Sequence, residues 1–210
     1  MILQALKEYY DRKAAEPDST IAPEGFERKY IPFLIVIKPD GEFVELEDTR
    51  EHVGKRLIPK IFVVPRSYTR AGSRSYEKTF LLWDHSGYVL GVSATGDGAD
   101  VMKAAKQHKT WLKSLEMLPV DVTHDDEVAA VLRFYERSGI EKVKGAPNWS
   151  ACKDVPTCNM TFRLAGATLP VPCHPKVQEY VRATGPRSEA DGDNDAGAKI
   201  AVFGRCLLTG

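Results

Sequence analysis

The chain has 210 residues and equal numbers of basic and acidic side chains, 29 of each, so its formal net charge is zero. An apolar content of 43% suffices for a sizeable core, and the length suits one large domain. The sequence contains neither a signal peptide nor an apolar run of about 18 residues, which argues against export and membrane insertion and favours the cytoplasm.

The first quarter of the chain predicts a helix followed by a β-hairpin. Apolar residues spaced three and four apart predict a helix over residues 2–15, and residues 18–29 are typical of a loop. Residues 30–38 form a strongly apolar strand candidate. Residues 43–49 alternate in polarity and follow the turn at residues 39–42, so they predict a returning strand with one wet face.

Residues 50–78 concentrate positive charge in an otherwise neutral chain. They contain eight cations against two acids, a local balance of +6. Residues 60–65 predict a short buried strand, and residues 66–76 predict a loop with hydroxyl side chains around Gly72. Such groups suit phosphate oxygens and base edges of DNA. The alternative is a solvated loop without a partner, because basic loops are common.

Eight residues of this stretch are therefore candidate nucleic-acid ligands: Lys55, Arg56, Lys60, Arg66, Arg70, Ser73, Arg74 and Lys78. The cations that precede or begin the predicted strand are expected to hold phosphates. The residues on either side of Gly72 lie where the backbone can approach DNA most closely, so they are expected to enter a groove.

An apolar segment follows, and it predicts strand at residues 80–84 and again at 88–90. Trp83 and Tyr88 are expected in the core, with base stacking as the alternative. Asp84 and His85 invite comparison with acid–base catalysts, but no second carboxylate or nucleophile forms a recognisable motif with them.

Two helices are predicted next. Residues 100–118 have one apolar face and place Lys103, Lys106, Lys109 and Lys113 toward the other side, either as a solvated face or as a contact with a nucleic-acid backbone. Acids at residues 125–127 suit the start of a second helix, and Gly139 is expected to end it in the left-handed conformation. Residues 140–157 are expected to be irregular.

The last quarter predicts a strand at residues 159–165, a short helix at 175–183, a mobile acidic loop at 185–197 and a final strand at 198–208. The four cysteines are irregularly spaced, which favours unrelated buried or loop thiols over a metal site. No phosphate-binding loop, dinucleotide fingerprint or catalytic elbow occurs, so neither an enzyme nor a cofactor is predicted.

An ordered set of short segments resembles the large-subunit family of the type I-C CRISPR Cascade complex. The segments are Met1 to Asp11, Val64-Pro65, Arg70-Ala71-Gly72, Phe80-Leu81-Leu82-Trp83-Asp84, Tyr88-Val89-Leu90-Gly91, Asn159 to Leu164 and Cys206 to Gly210. Members of that family are longer, so the resemblance implies an N-terminal portion. Residues 51–58 have no clear counterpart.

The resemblance implies antiviral defence by an RNA-guided complex. It implies that residues 1–210 form a single N-terminal domain that recognises the protospacer-adjacent motif on double-stranded target DNA and helps to open the duplex. The implied partners are this DNA, the 5′ region of the guide RNA, other Cascade subunits and a separately recruited nuclease-helicase that cuts DNA. The alternative is an assembly module that docks on guide RNA and neighbouring subunits without reading the motif.

The predicted fold class is α+β, with a mixed, largely antiparallel sheet, flanking helices and a basic loop. One core is expected to contain Ile31, Phe33, Ile35, Phe62, Val64, Leu82, Met160, Phe162 and Phe203.

Overall fold

The computed structural model describes residues 2–14, 16, 20–93, 95–155 and 157–185. The predicted acidic loop beyond residue 185, the predicted final strand at 198–208, Phe203 and Cys206 lie outside these residues.

A four-stranded sheet is the centre of the fold, with strand order β3-β2-β8-β7. β2 and β8 are parallel, while β2–β3 and β7–β8 are antiparallel. Two further antiparallel pairs, β1–β6 and β4–β5, stand apart from this sheet. The strands are β1 (Phe26–Tyr30), β2 (Phe33–Ile37), β3 (Phe43–Asp48), β4 (Glu51–Val53), β5 (Arg56–Ile58), β6 (Ile61–Pro65), β7 (Trp83–His85) and β8 (Asn159–Leu164).

Helices accompany this sheet, which confirms the α+β class with a mixed, largely antiparallel sheet. They are α1 (Ile2–Ala14), α2 (Ser86–Val89), α3 (Gly98–Glu116), α4 (Val120–Thr123), α5 (Asp126–Glu136), α6 (Gly139–Lys144), α7 (Trp149–Lys153) and α8 (Pro175–Thr184). Short 3-10 helices occupy Ser75–Glu77 and Val171–Cys173. The predicted helices corresponding to α1, α3, α5 and α8 are all present.

The predicted hairpin is confirmed as β2–β3, with Phe33 opposite Asp48. The strand expected from residue 30 is, however, two strands in two different sheets. Proline lacks an amide hydrogen and cannot continue a ladder, so the chain leaves one pair at Tyr30 and enters another sheet after Pro32. Part of the predicted loop at 18–29 is consequently β1.

The expected single core is divided into two clusters by the central sheet. Residues of β2 alternate between them: Phe33 and Ile35 face the larger cluster, whereas Leu34 belongs to the smaller one. The larger cluster includes Phe162 and residues of α3 and α5. The smaller one holds Ile31, Leu34, Val64 and Trp83, with Phe62 and Phe80 packed against it. The β1–β6 pair contributes to both clusters, since Phe26 belongs to the larger one and Val64 to the smaller one.

Two predictions for the middle of the chain are wrong. Tyr88 and Leu90 do not continue a strand, because His85 ends β7 and caps α2: the His85 Nδ1 accepts a hydrogen bond from the Gly87 amide at 3.1 Å. Residues 140–157 are not irregular, since they contain α6 and α7.

Gly139 does not end α5. Ser138 takes the left-handed conformation there, with φ of 55°, and Gly139 begins the next helix. A Cβ at Gly139 would lie 2.2 Å from the Phe134 ring. The glycine therefore permits close packing rather than a positive φ.

Candidate nucleic-acid interface

The β4–β5 hairpin is the most exposed element of the basic stretch. All six strand residues are exposed, and Val53, at the end of β4, lies opposite Arg56, the first residue of β5. Gly54 has φ of 61° at the first position of the two-residue turn, which suits a type II′ hairpin. Its tip carries Lys55 and Arg56, and three apolar side chains, those of Val53, Leu57 and Ile58, are exposed beside them.

The base of this hairpin is closed by hydrogen bonds to the body of the protein. The Lys60 amide donates to the Thr49 Oγ1 at 3.4 Å, and the Thr49 hydroxyl donates to the Ile31 carbonyl at 2.5 Å. Thr49 is buried. A solvated two-stranded hairpin is only marginally stable alone, so its base is better fixed than its tip.

The basic loop, residues 66–80, is organised by one buried carboxylate. Asp84 is fully buried and forms a two-point ion pair with Arg70, in which Nη1 donates to Oδ1 at 2.9 Å and Nη2 contacts Oδ2. The same carboxylate accepts from the Phe80 amide at 3.0 Å and from the Thr79 hydroxyl at 3.2 Å. The loop is therefore attached to β7 at both its middle and its end.

Aromatic rings enclose the Arg70 guanidinium. Its Cζ lies 3.6 Å from the centroid of Phe80 and 4.2 Å from that of Tyr88. The Tyr88 hydroxyl donates to the Ser75 carbonyl at 2.9 Å, and the Tyr68 hydroxyl donates to the Thr79 carbonyl at 2.8 Å. Burial raises the pKa of the Tyr88 hydroxyl, which keeps it protonated as a donor.

The eight sequence-predicted residues occupy different environments. Lys55, Arg56, Arg66 and Ser73 are exposed, whereas Lys78 is half-buried. Lys60 and Arg74 are exposed but form ion pairs with Glu51 at 3.2 Å and Glu77 at 2.7 Å, the two acids of the basic stretch. Hydrogen bonding from Arg74 lowers the pKa of the Glu77 carboxyl.

Arg70 differs from the other seven because its side chain is only 14% exposed and is held by Asp84. Its position suits shaping the loop better than reaching a groove. A groove contact by Arg70 itself requires this ion pair to open.

The hairpin and the loop lie at opposite ends of β6. The hairpin enters β6 through Lys60, and the loop leaves it at Arg66, whose amide donates to the Gly25 carbonyl at 2.9 Å. Five strand residues span about 13 Å. The Trp83 indole fixes the loop end by donating to the Pro65 carbonyl at 2.8 Å. The β6 strand therefore joins two separate groups of cations.

Asp84 and His85 are structural rather than an acid–base pair. The carboxylate of Asp84 is occupied by Arg70 and its other donors. Burial lowers the pKa of His85, and its Nδ1 accepts from the Gly87 amide, so the neutral ring carries its proton on Nε2. The expectation that Trp83 and Tyr88 belong to the core is confirmed, since they are 0% and 1% exposed.

The thiols of Cys152 and Cys158 are not unrelated, because their Sγ atoms lie 3.4 Å apart and both residues are buried. Cys173 lies elsewhere, and burial raises its pKa to about 12. Among the described residues, no group of three or more His, Cys, Asp or Glu side chains is arranged to hold a metal ion. Nor does the described part of the chain contain a helix long and apolar enough to cross a bilayer.

Comparison with known protein families identifies a related family. The sequence model of the CRISPR-associated protein family Cas_Csd1 matches residues 6–210. The chain belongs to this family. Cas_Csd1 is the large-subunit family of type I-C Cascade, which confirms the resemblance and implies association with other Cascade subunits. No curated protein matches the chain.

Sequence reasoning about this Cas_Csd1 chain missed two features of the interface. The first is the β4–β5 hairpin, although Gly54-Lys55 between short β-prone segments is a type II′ turn signal. The second is the role of Asp84 as the anchor of the loop. No local signal reveals that pair, because Arg70 and Asp84 are 14 residues apart and meet only in the folded chain.

Proposed function

We propose that this chain recognises the protospacer-adjacent motif on double-stranded DNA and helps to open the duplex for guide RNA pairing. The observation that carries the proposal is the solvated β4–β5 hairpin, which presents Lys55, Arg56 and exposed apolar side chains together. Cations attract the phosphate walls of a groove, and apolar side chains can enter between unstacked base pairs.

The anchored loop supplies the second part of the proposed interface. Arg66, Ser73 and Arg74 are exposed on a segment whose shape is fixed by Asp84. Gly72 has φ of 81° and nothing within 4 Å of where a Cβ would lie, so the backbone there is open to a partner. A fixed loop can present donors to base edges at a lower entropic cost than a flexible one.

In this proposal, the protein reads the motif and base pairing reads the rest of the target. DNA cleavage is assigned to the recruited nuclease-helicase, and the 5′ region of the guide RNA binds beside this chain. The chain itself acts by binding and positioning, without catalysis.

A second candidate function is docking on guide RNA and neighbouring Cascade subunits without motif reading. The observation in its favour is α1, which has no buried residue and exposes Ile2, Leu3, Leu6 and Tyr9. An amphipathic helix with an uncovered apolar face is typical of a protein–protein contact.

Removing the β4–β5 hairpin distinguishes motif recognition from docking without motif recognition. Because the Thr49 Oγ1 and the Lys60 amide already meet, residues 51–58 can be replaced by Gly-Gly without separating the ends of the hairpin. The complex is assembled with each form of the chain. Binding is measured on duplexes with the correct or an altered motif, and a fluorescent base analogue beside the motif reports unstacking.

We expect the shortened chain to assemble normally but to lose affinity and unstacking on the correct motif. Assembly failure of a folded variant would favour docking. Unchanged binding and unchanged unstacking would overturn the assignment of the hairpin to DNA.

A further inference from the structure

A lysine face on α3 lies outside the residues assigned to motif reading. At about 100° per residue, Lys106, Lys109 and Lys113 fall within an arc of about 60° on one side of the helix. The opposite side is buried through Ala104, Gln107, Trp111 and Leu115. All three lysines are exposed, and Lys103 is an exposed residue at the edge of the same face.

These lysines form no ion pair with any carboxylate in the described part of the chain, unlike Lys144 and Lys176 on other helices. Lys144 pairs with Glu141 at 2.7 Å, and Lys176 pairs with Glu179 at 2.9 Å, each on its own helix. On α3, Asp100 instead accepts a hydrogen bond from the Thr95 hydroxyl at 2.6 Å.

The spacing of the lysines destabilises α3 in the isolated protein. Lys106 and Lys109 are three residues apart, and Lys109 and Lys113 are four apart, so neighbouring ammonium groups repel one another along the helix. Like-charged pairs at these spacings destabilise a helix, and an anionic partner removes that repulsion. The arrangement is therefore matched to a polyanion rather than to stability.

The lysine face adjoins the basic loop. The Lys106 Nζ lies 5.3 Å from the centroid of the Tyr76 ring, which belongs to the 3-10 helix within that loop. The neighbouring residue Ser75 is held by the Tyr88 hydroxyl of α2. The loop and α3 consequently present adjacent parts of one positive surface.

We propose that Lys106, Lys109 and Lys113 form a second DNA contact, which holds the phosphate backbone of the duplex flanking the motif. This inference rests on the proposed function. From Lys106 to Lys113 the helix rises by about 10 Å, and one DNA strand passes about three phosphates over that length of its axis. Lysine is a point charge with no planar fork for base edges, so the contact carries affinity without sequence preference.

The test compares two triple variants in the assembled complex. Lys106→Gln, Lys109→Gln and Lys113→Gln remove the face. The control variant combines Lys38→Gln, Lys144→Gln and Lys176→Gln, which removes the same charge from lysines that are already ion-paired. The affinity of each variant complex is measured at several salt concentrations on two motif-containing duplexes. One duplex has a long flank, and in the other the flank is trimmed to the motif.

On the long flank, we expect the face variant to lose affinity roughly tenfold or more, with a salt slope reduced by about 1 for each lysine. On the trimmed duplex, the affinity of the face variant should equal that of the control variant. The ratio of affinities for the correct and the altered motif should stay unchanged.

Three results would overturn the proposal: equal losses on both duplexes, equal losses in both variants, or a loss of guide RNA from the complex. The last result would assign the face to RNA. Failure of the proposed function would be detected with the unaltered complex, without any variant. That complex would then bind duplexes with the correct and the altered motif equally well, whether or not the flanking duplex contributes to affinity.

Discussion

The Arg70 guanidinium and the Asp84 carboxylate form a buried two-point ion pair between the basic loop and β7, with side chains 14% and 1% exposed. This pair converts one of the cations expected to meet DNA into a structural element. Removing one partner from a buried pair is costly, because the remaining charge is left in a poorly solvated site.

Arg70→Ala should therefore lower the free energy of unfolding by about 3 kcal/mol. Arg66→Ala is the control, because that side chain is exposed on the same loop, and its effect should stay within about 0.5 kcal/mol. Urea denaturation of the full chain measures both. Equal stability of the two variants would contradict the anchoring role of Arg70.

Phe162→Ala should cost about 3–5 kcal/mol, since deletion of a buried ring loses its contacts and leaves a cavity. Phe162 is 0% exposed and packs against Phe134 and Tyr135, with ring centroids 5.1 Å and 5.8 Å away. Leu169→Ala provides the control, as Leu169 is 57% exposed. A similar urea midpoint for both variants would show that the Phe162 site tolerates the loss.

Lys55→Ala and Arg56→Ala should each weaken binding to correct and altered motifs alike, and each should reduce the salt slope by about 1. The physical reason is that an exposed hairpin cation meets phosphates, which are the same in every sequence. Affinities of the assembled complex over a salt series measure both effects. Lys176→Ala is the matched control, and a motif-dependent loss in either hairpin variant would assign base reading to the hairpin.

At least one substitution among Arg66, Arg70, Ser73 and Arg74 should narrow the affinity gap between the correct and an altered motif by roughly 1–3 kcal/mol. The four residues are expected to affect motif discrimination in two ways. Replacing the buried Arg70 changes the shape of the loop, whereas replacing an exposed residue removes a direct contact with DNA. Each alanine variant is measured on both duplexes after its assembly is verified. If all four leave the gap unchanged, the loop does not read the motif, and docking is favoured.

Local patterns in the sequence determined much of the fold. The alternation of residues 43–49 and the turn before them define the β2–β3 hairpin, and apolar spacing predicts the helices α3 and α5. The concentration of cations at residues 50–78 likewise identified the candidate interface. These signals are readable because they depend on neighbours within one or two turns, or on one hairpin.

Tertiary structure alone decided that Arg70 is withdrawn from the surface, because the Asp84 carboxylate meets it across 14 residues. The Lys60–Glu51 and Arg74–Glu77 pairs are local by contrast, since the first closes one hairpin and the second joins residues three apart. The division into two clusters also depends on the parallel pairing of β2 with β8, whose residues lie more than 100 positions apart. Pairing across such distances is set by the packing of the whole chain, because no local periodicity specifies which buried donor will meet which acceptor.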